Sequence, residues 1–284
     1  MLTTPFVILR ALRGLLIRIG VIMDGKHHTA LITGASAGIG RELAKLLAQD
    51  DYYLLLVARD GSRLSQSADE LQRQFGITAK SFPLDLAAES APQFLFDQLQ
   101  REGVIIDVLV NNAGYGKLGA FAEIPLEESL GQIQLNITAL THLTKLFLGP
   151  MLERRSGKIL NVASTAGFQP GPLMAVYYAT KAYVISFSEA LANELQGTGV
   201  TVTCLCPGAT DTEFQKRAGT EETRLFRTMR PMDASAVARD GYQAMMKGKP
   251  LVISGFRNWL LAESLRVSPR KLVTAISRKI LDVA

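Results

Sequence analysis

The chain has 284 residues, 48% of them hydrophobic and 20% charged, with a formal net charge of +5. This composition excludes a disordered or fibrous protein and leaves room for one large core or two modest ones. The basic residues are dispersed apart from two groups near the ends, and aromatic residues are not interleaved with the bases of those groups, so nucleic acid is not the expected partner.

The first distinctive stretch, FVILRALRGLLIRIGVIM at 6–23, carries Arg10, Arg13 and Arg18 and no acid. Its apolar runs are too short to span a bilayer, and it lacks the cleavage pattern of a secretory signal. A membrane-surface helix or an organelle-targeting helix fits it. The alternatives are an ordinary packing helix or residues ahead of the true start.

From about residue 28 two periods alternate. HTALITG reads as a strand and GIGRELAKLLAQD as a helix. Between them, Gly34, Gly38 and Gly40 permit a tight turn and close backbone approach, and the helix start offers free N–H groups. That junction suits a dinucleotide pyrophosphate, although its G-x-x-x-G-x-G spacing differs from the generic G-x-G-x-x-G. YYLLLVA is the second strand and runs into Arg59 and Asp60. An arginine there suits a 2′-phosphate, whereas an acid suits ribose hydroxyls. The expectation is NADP(H) held through Arg59. A plain surface charge is the alternative for Arg59, and Asp60 stands one register away from a ribose contact.

SRLSQSADELQRQFG is an amphipathic helix, and ITAKSFPLD a third strand ending at Asp85, which suits an adenine acceptor, a helix cap or both. The helix SAPQFLFDQLQRE leads to strand four, IIDVLVNNAG, where Asn111 and Gly114 suit a backbone passing close to a ribose. A long helical region over roughly 130–154 precedes strand five, GKILNVAS, closed by Ser164. A helix from about 176 to 196 and strand six, GVTVTCLCPG, follow. Cys204 and Cys206 share one side of that strand and read as reduced core residues, with no further cysteine to build a metal site. Residues 209–232 break the rhythm and read as helical turns over a cleft, with a solvated connector as the plainer alternative. PLVIS is the seventh strand.

Strands apolar on both faces, each followed by a helix, define an α/β fold: a doubly wound Rossmann-type parallel β-sheet with helices on both faces. The expected organisation is an N-terminal extension at 1–25 and a catalytic domain at 26–254 that includes the lid. A helical basic extension at 255–284 completes the chain.

A nicotinamide cofactor moves a hydride, so the substrate oxygen needs a proton donor or acceptor from the protein. The three histidines, His27, His28 and His142, have no evident partner in the sequence. Tyr177 and Lys181, four residues apart, fall on one helix face, whereas Tyr178 points about 100° away with Ala182 at its own fourth position. A nearby ammonium is expected to lower the phenol's pKa from about 10. Ser164 ends a parallel strand facing the same crevice and can hold the substrate oxygen. Its neighbour Thr165 should point away if the strand continues. Between them TAGFQPGPLMAV is apolar, so Phe168, Leu173 and Met174 are candidates for the wall of an apolar pocket, with Tyr115 beside them.

In order and approximate spacing, TGASAGIG, NNAG, Ser164, YYATK and PGATDT resemble the classical short-chain dehydrogenase/reductase family over about residues 26–254. The resemblance implies Tyr177 as general acid or base, Ser164 as substrate-orienting hydroxyl, Lys181 on the nicotinamide ribose, and Asn136 keeping a proton-relay water near the lysine. It implies cofactor contacts from Gly34, Ser36, Gly38, Ile39, Gly40, Arg59, Asp85, Leu86, Asn112, Ala113, Gly114, Tyr177, Lys181, Pro207, Gly208, Thr210 and Thr212, and the pattern ARD resembles NADP-linked members. It also implies an oligomer, here a homodimer through the helices at about 130–154 and 176–196. The expected activity is NADP(H)-dependent interconversion of an apolar ketone or aldehyde and its alcohol. Reduction of 3-ketoacyl thioesters and a non-catalytic nucleotide-binding scaffold are the alternatives. A cytoplasmic protein with peripheral membrane contact is the expected setting.

Overall fold

The computed structural model describes residues 28–228 and 230–282, so the arginine-bearing stretch at 6–23 and His27 lie outside the described residues. The apolar-rich runs form strands β1 (Thr29–Thr33), β2 (Tyr53–Ala58), β3 (Ala79–Pro83), β4 (Val108–Asn111), β5 (Gly157–Val162) and β6 (Val200–Cys206). A two-strand ladder, β7 (Thr210–Asp211) with β8 (Met232–Asp233), stands apart, and β9 (Leu251–Ile253) completes the main sheet. The order is β3-β2-β1-β4-β5-β6-β9, and every neighbouring pair is parallel. The order reverses direction between β1 and β4, which opens a crevice at the carboxyl ends of those strands.

Successive side chains of β2 explain why its central run is apolar throughout. Leu54 and Leu56 pack with α1 (Gly38–Gln49), α2 (Gly61–Phe75) and α9 (Ala234–Met246) through Leu43, Leu47, Leu64 and Met245. The alternate residues Leu55 and Val57 pack on the opposite face with Leu95, Phe147 and Met151, from α3 (Ala91–Arg101) and α5 (Leu140–Glu153). Each buried leucine contributes about 1.5–3 kcal/mol, so both faces must be covered.

The long helical region begins earlier than its periodicity suggests. Pro125 precedes α4 (Leu126–Ile133), which continues through a π-turn (Gln134–Ala139) into α5. After β5 the chain makes a 3₁₀ turn (Thr165–Phe168) and enters α6 (Ala175–Glu194). Residues 209–232 contain α7 (Phe214–Ala218) and α8 (Arg224–Thr228). The chain closes with α10 (Phe256–Leu265) and α11 (Arg270–Leu281). Cys204 and Cys206 are free, buried and 3.7 Å apart at sulfur, packed with Val184 and Ile185 of α6.

Candidate active site

The glycine loop has the geometry of a cradle. Gly34 and Gly38 have φ of +66° and +54°, a region side chains disfavour. A Cβ on Gly40 would overlap the Gly34 carbonyl oxygen and the Asn112 side-chain amide. The Ala37 cap makes no side-chain bond and the first turn of α1 holds no acid, which leaves its N–H groups for an anion. Ile39 packs against the core, and Ser36 is partly exposed in the loop. These residues fit a dinucleotide pyrophosphate. Gly40→Ala should lower unfolding free energy by roughly 1–3 kcal/mol, because a backbone carbonyl cannot move aside. Helix propensity alone predicts a gain of about 1 kcal/mol, so a raised denaturation midpoint would contradict this packing.

At the tip of β2, Arg59 is exposed and makes no ion pair with a described residue. The neighbouring acid is engaged elsewhere. Asp60 caps α2, its carboxylate accepting the Arg63 N–H at 3.0 Å. Asp85 accepts the Ala87 N–H at 3.0 Å in a local turn and does not cap α3, whose N-cap is Ser90. The Leu86 side chain is buried in the core with Val57 and Phe82, leaving only its backbone for any cofactor contact.

NNAG is fixed by a residue the sequence reading missed. The Thr33 hydroxyl accepts the N–H groups of Asn112 and Ala113, each at 3.0 Å, and donates to Val110 O at 3.1 Å. The Asn112 amide donates to the carbonyls of Thr33 and Gly34, tying this turn to the glycine loop. Asn111 corrects an expectation: it is buried, donating to Thr144 Oγ1 and Asn161 Oδ1, and serves the core. Gly114 is the close-approach position, where a Cβ would stand 2.9 Å from Asn136 Oδ1 and 3.5 Å from Lys181 Nζ.

Four predicted groups converge there. Tyr177 and Lys181 share one face of α6, with Nζ 5.8 Å from the phenol ring centroid and donating to Val162 O at 2.8 Å. Ser164 caps the 3₁₀ turn. Its hydroxyl accepts the Ala166 N–H and donates to Pro207 O at 3.4 Å. The strand does not continue through Thr165, whose N–H instead donates to Pro207 O at 2.8 Å. Asn136 lies in the π-turn, a distortion that recurs at functional sites. Its amide donates to Tyr115 O and Thr180 Oγ1 and accepts the Tyr115 N–H, so the protein satisfies the side chain fully. Thr180, a second missed residue, passes the link on by donating to Tyr177 O at 2.7 Å. Lone hydroxyls have no periodic signature, and only the Y-A-T-K spacing of α6 could have pointed to it.

The electrostatics correct the expected pKa argument. Burial pushes the Tyr177 phenol well above its ordinary value. The Ser164 hydroxyl opposes that, and Tyr178 adds to it. The Lys181 ammonium, 5.8 Å from the ring centroid, donates to the Val162 carbonyl, and burial is the larger influence on the phenol. Burial lowers Lys181 itself to about 8, against a smaller opposing pull from Cys204 and Cys206. Tyr178, also buried, is pushed up to about 12 by burial.

The lid covers this centre. Phe214 of α7 packs on Tyr177 with ring centroids 5.1 Å apart, and Met174, Ala218 and Leu281 join the same apolar cluster. Leu173 also joins, with φ of +69°, a strained conformation for a branched side chain. Phe168 does not: it packs with the Val184–Cys206 cluster. Nor does the Tyr115 hydroxyl, which donates to Glu128 O. Thr212 closes over the glycine loop, its methyl 3.0 Å from the position of a Gly38 Cβ. Gln215 bonds both Thr212 and the Thr210 carbonyl, and Thr210 donates to Gly208 O. A bidentate Arg63–Glu213 pair fastens the lid to α2. Asn258 of α10 fills the space a Gly208 side chain would take. His28, beside Asp107, lies at the opposite end of the sheet.

A parallel sheet with a glycine-lined crevice and a Ser–Tyr–Lys–Asn group at its strand ends defines a dinucleotide-binding oxidoreductase class. The family model for short chain dehydrogenases matches residues 28–223, and the chain belongs to the short-chain dehydrogenase/reductase family. Relatives include a ketoacyl reductase, HetN, of Nostoc sp., 39% identical over 63% of this chain and 62% of its own length. A very-long-chain 3-oxoacyl-CoA reductase of Phaeosphaeria nodorum is 37% identical over 62% of this chain and 53% of its own. The match thus spans little more than half to three fifths of those relatives. Among solved structures, a short-chain dehydrogenase from Sphingobium yanoikuyae in complex with NADPH has a TM-score of 0.75 and 31% identity, covering 84% of this chain and 93% of its own. A bulky-bulky ketone specific alcohol dehydrogenase from Comamonas testosteroni has a TM-score of 0.72 and 29% identity, covering 84% and 92%.

Proposed function

We propose that the protein is an NADP(H)-dependent reductase of apolar ketones. The observation that carries this reading is the convergence of Ser164, Tyr177, Lys181 and Asn136 under an apolar lid, at the same carboxyl end of the sheet as Arg59, whose strand β2 lies three places from β5. When bound, NADPH supplies the hydride. The Tyr177 hydroxyl gives its proton to the substrate oxygen, and Ser164 holds that oxygen by a hydrogen bond. A phenol kept protonated by burial suits an acid, so the reading favours reduction. Lys181 binds the ribose hydroxyls. Asn136 positions the backbone of Tyr115 and, through Thr180, that of α6.

Within this class, 3-ketoacyl thioesters are the second reading, supported by the names of the Nostoc and Phaeosphaeria relatives. The ketone-specific dehydrogenase of Comamonas supports the broader one. A screen of NADPH consumption over bulky ketones, aldehydes and 3-ketoacyl thioesters separates them. Turnover of none of these would reject the function.

Arg59→Ala should lower kcat/KM for NADPH by about 10- to 100-fold, the worth of a charged hydrogen-bonded pair, and leave NADH within about threefold. Equal losses would remove the phosphate assignment. We also propose a homodimer. Leu126, Leu130 and Ile133 form an exposed stripe on α4, and Leu130→Glu should sediment as a monomer. Unchanged sedimentation would exclude this face.

A further inference from the structure

The two C-terminal helices turn large apolar side chains outward. On α10, Phe256, Trp259 and Leu260 are exposed by 73, 45 and 55%. On α11, Val273, Ser277 and Leu281 are buried, while Leu272, Ile276 and Ile280 form an exposed stripe one residue earlier in each turn. Clustered large apolar side chains turned to the surface mark an interaction site more often than a solvated face.

Charge identifies what covers it. Residues 256–284 carry six basic and two acidic side chains, a net +4. Residues 1–27 carry four and one, a net +3. The whole chain being +5, residues 28–255 are left at −2. The positive charge therefore resides in the two ends, each mixed with apolar residues, and the body is slightly acidic. Lys271, Arg278 and Lys279 are exposed beside the α11 stripe. No described helix is long and apolar enough to cross a membrane.

We propose that α10 and α11 dock the protein onto an anionic bilayer surface, with their apolar stripes in the interface and their basic residues among acidic headgroups. The inner side of the same helices lines the candidate active site. Leu281 packs in the cluster of Tyr177 and Met174, and Asn258 packs on Gly208. Docking there sets the wall of the apolar pocket against lipid, from which an apolar ketone can enter without crossing water. The docking itself does not depend on the proposed reaction.

The test is sedimentation of the full chain with phosphatidylcholine vesicles, with and without about 30% phosphatidylserine, at about 0.1 and 0.5 M salt. Acidic vesicles should bind at least about tenfold more tightly than neutral ones, and the higher salt should remove most of that difference. Lys271→Glu with Lys279→Glu, and separately Leu272→Ser with Ile276→Ser, should each lower the partition coefficient by about tenfold or more. Circular dichroism and turnover of a short soluble ketone should stay unchanged. The charge pair is fully on the surface, which keeps the test valid if the apolar pair misfolds. Failure of the full chain to bind acidic vesicles, or equal binding to neutral ones, would overturn the proposal. So would undiminished binding by both variants, which would assign it to residues 1–27. Lipid-free self-association abolished by Leu272→Ser with Ile276→Ser would assign the face to a second copy instead, and would equally overturn it.

Discussion

Tyr177→Phe should lower kcat for ketone reduction by about 10²- to 10⁴-fold and leave the Kd for NADPH within about threefold. The substitution removes one hydroxyl and keeps the ring that packs on Phe214 at 5.1 Å, so the lid retains its support. The lost rate is the contribution of a positioned proton donor. The phenol is held protonated by burial, so in the reducing direction no titration of Tyr177 should appear between pH 6 and 8. Turnover close to wild type, or a matching loss of NADPH affinity, would remove Tyr177 from the proton transfer.

Lys181→Met should abolish efficient turnover and at the same time stabilise the fold. Burial lowers this lysine from its ordinary 10.5 to about 8, which corresponds to about 3 kcal/mol of selection against the charged form. Losing the bond to the Val162 carbonyl returns roughly 1 kcal/mol, so the net gain at pH 7 is about 2 kcal/mol. That is a large share of a typical stability of about 5–15 kcal/mol. The sign in pH follows from proton binding. Between about pH 8 and 10.5 the unfolded chain binds the proton and the folded chain does not, so this group makes wild-type stability rise with pH. Below pH 8 both states are protonated and the burial cost is present in full. The variant should lack that rise in urea denaturation at pH 7 and pH 10. A destabilised variant at pH 7 would show the ammonium to be structural.

Much of this was legible in the sequence because its physics is local. Strands covered on both faces must be apolar at every position, so β2 reads directly as YLLLVA. A tyrosine and a lysine four apart must share a helix face, and they do. What the sequence hid depends on tertiary surroundings. The π-turn at Gln134–Ala139 leaves the hydrophobic pattern intact and shows only in the backbone. Thr33 and Thr180 act through single hydroxyls that reach partners 44 to 80 residues away, beside the local bond from Thr180 to Tyr177 O. Phe168 turned away from the pocket because a residue in a 3₁₀ turn has no period to fix its direction. The expected lowering of the Tyr177 pKa by Lys181 depends on how deeply the phenol itself is buried, which the sequence does not report, and its burial acts in the opposite direction.

The central claim concerns one atom, the Tyr177 hydroxyl oxygen, and its place beside a reducible carbonyl. A crystal structure of the protein with NADPH and an unreactive alcohol analogue measures it directly. The account predicts that oxygen about 2.6–3.2 Å from the analogue's oxygen, with Ser164 bonded to the same atom. A phenol turned from the analogue, or separated from it by more than one bridging water, would contradict it.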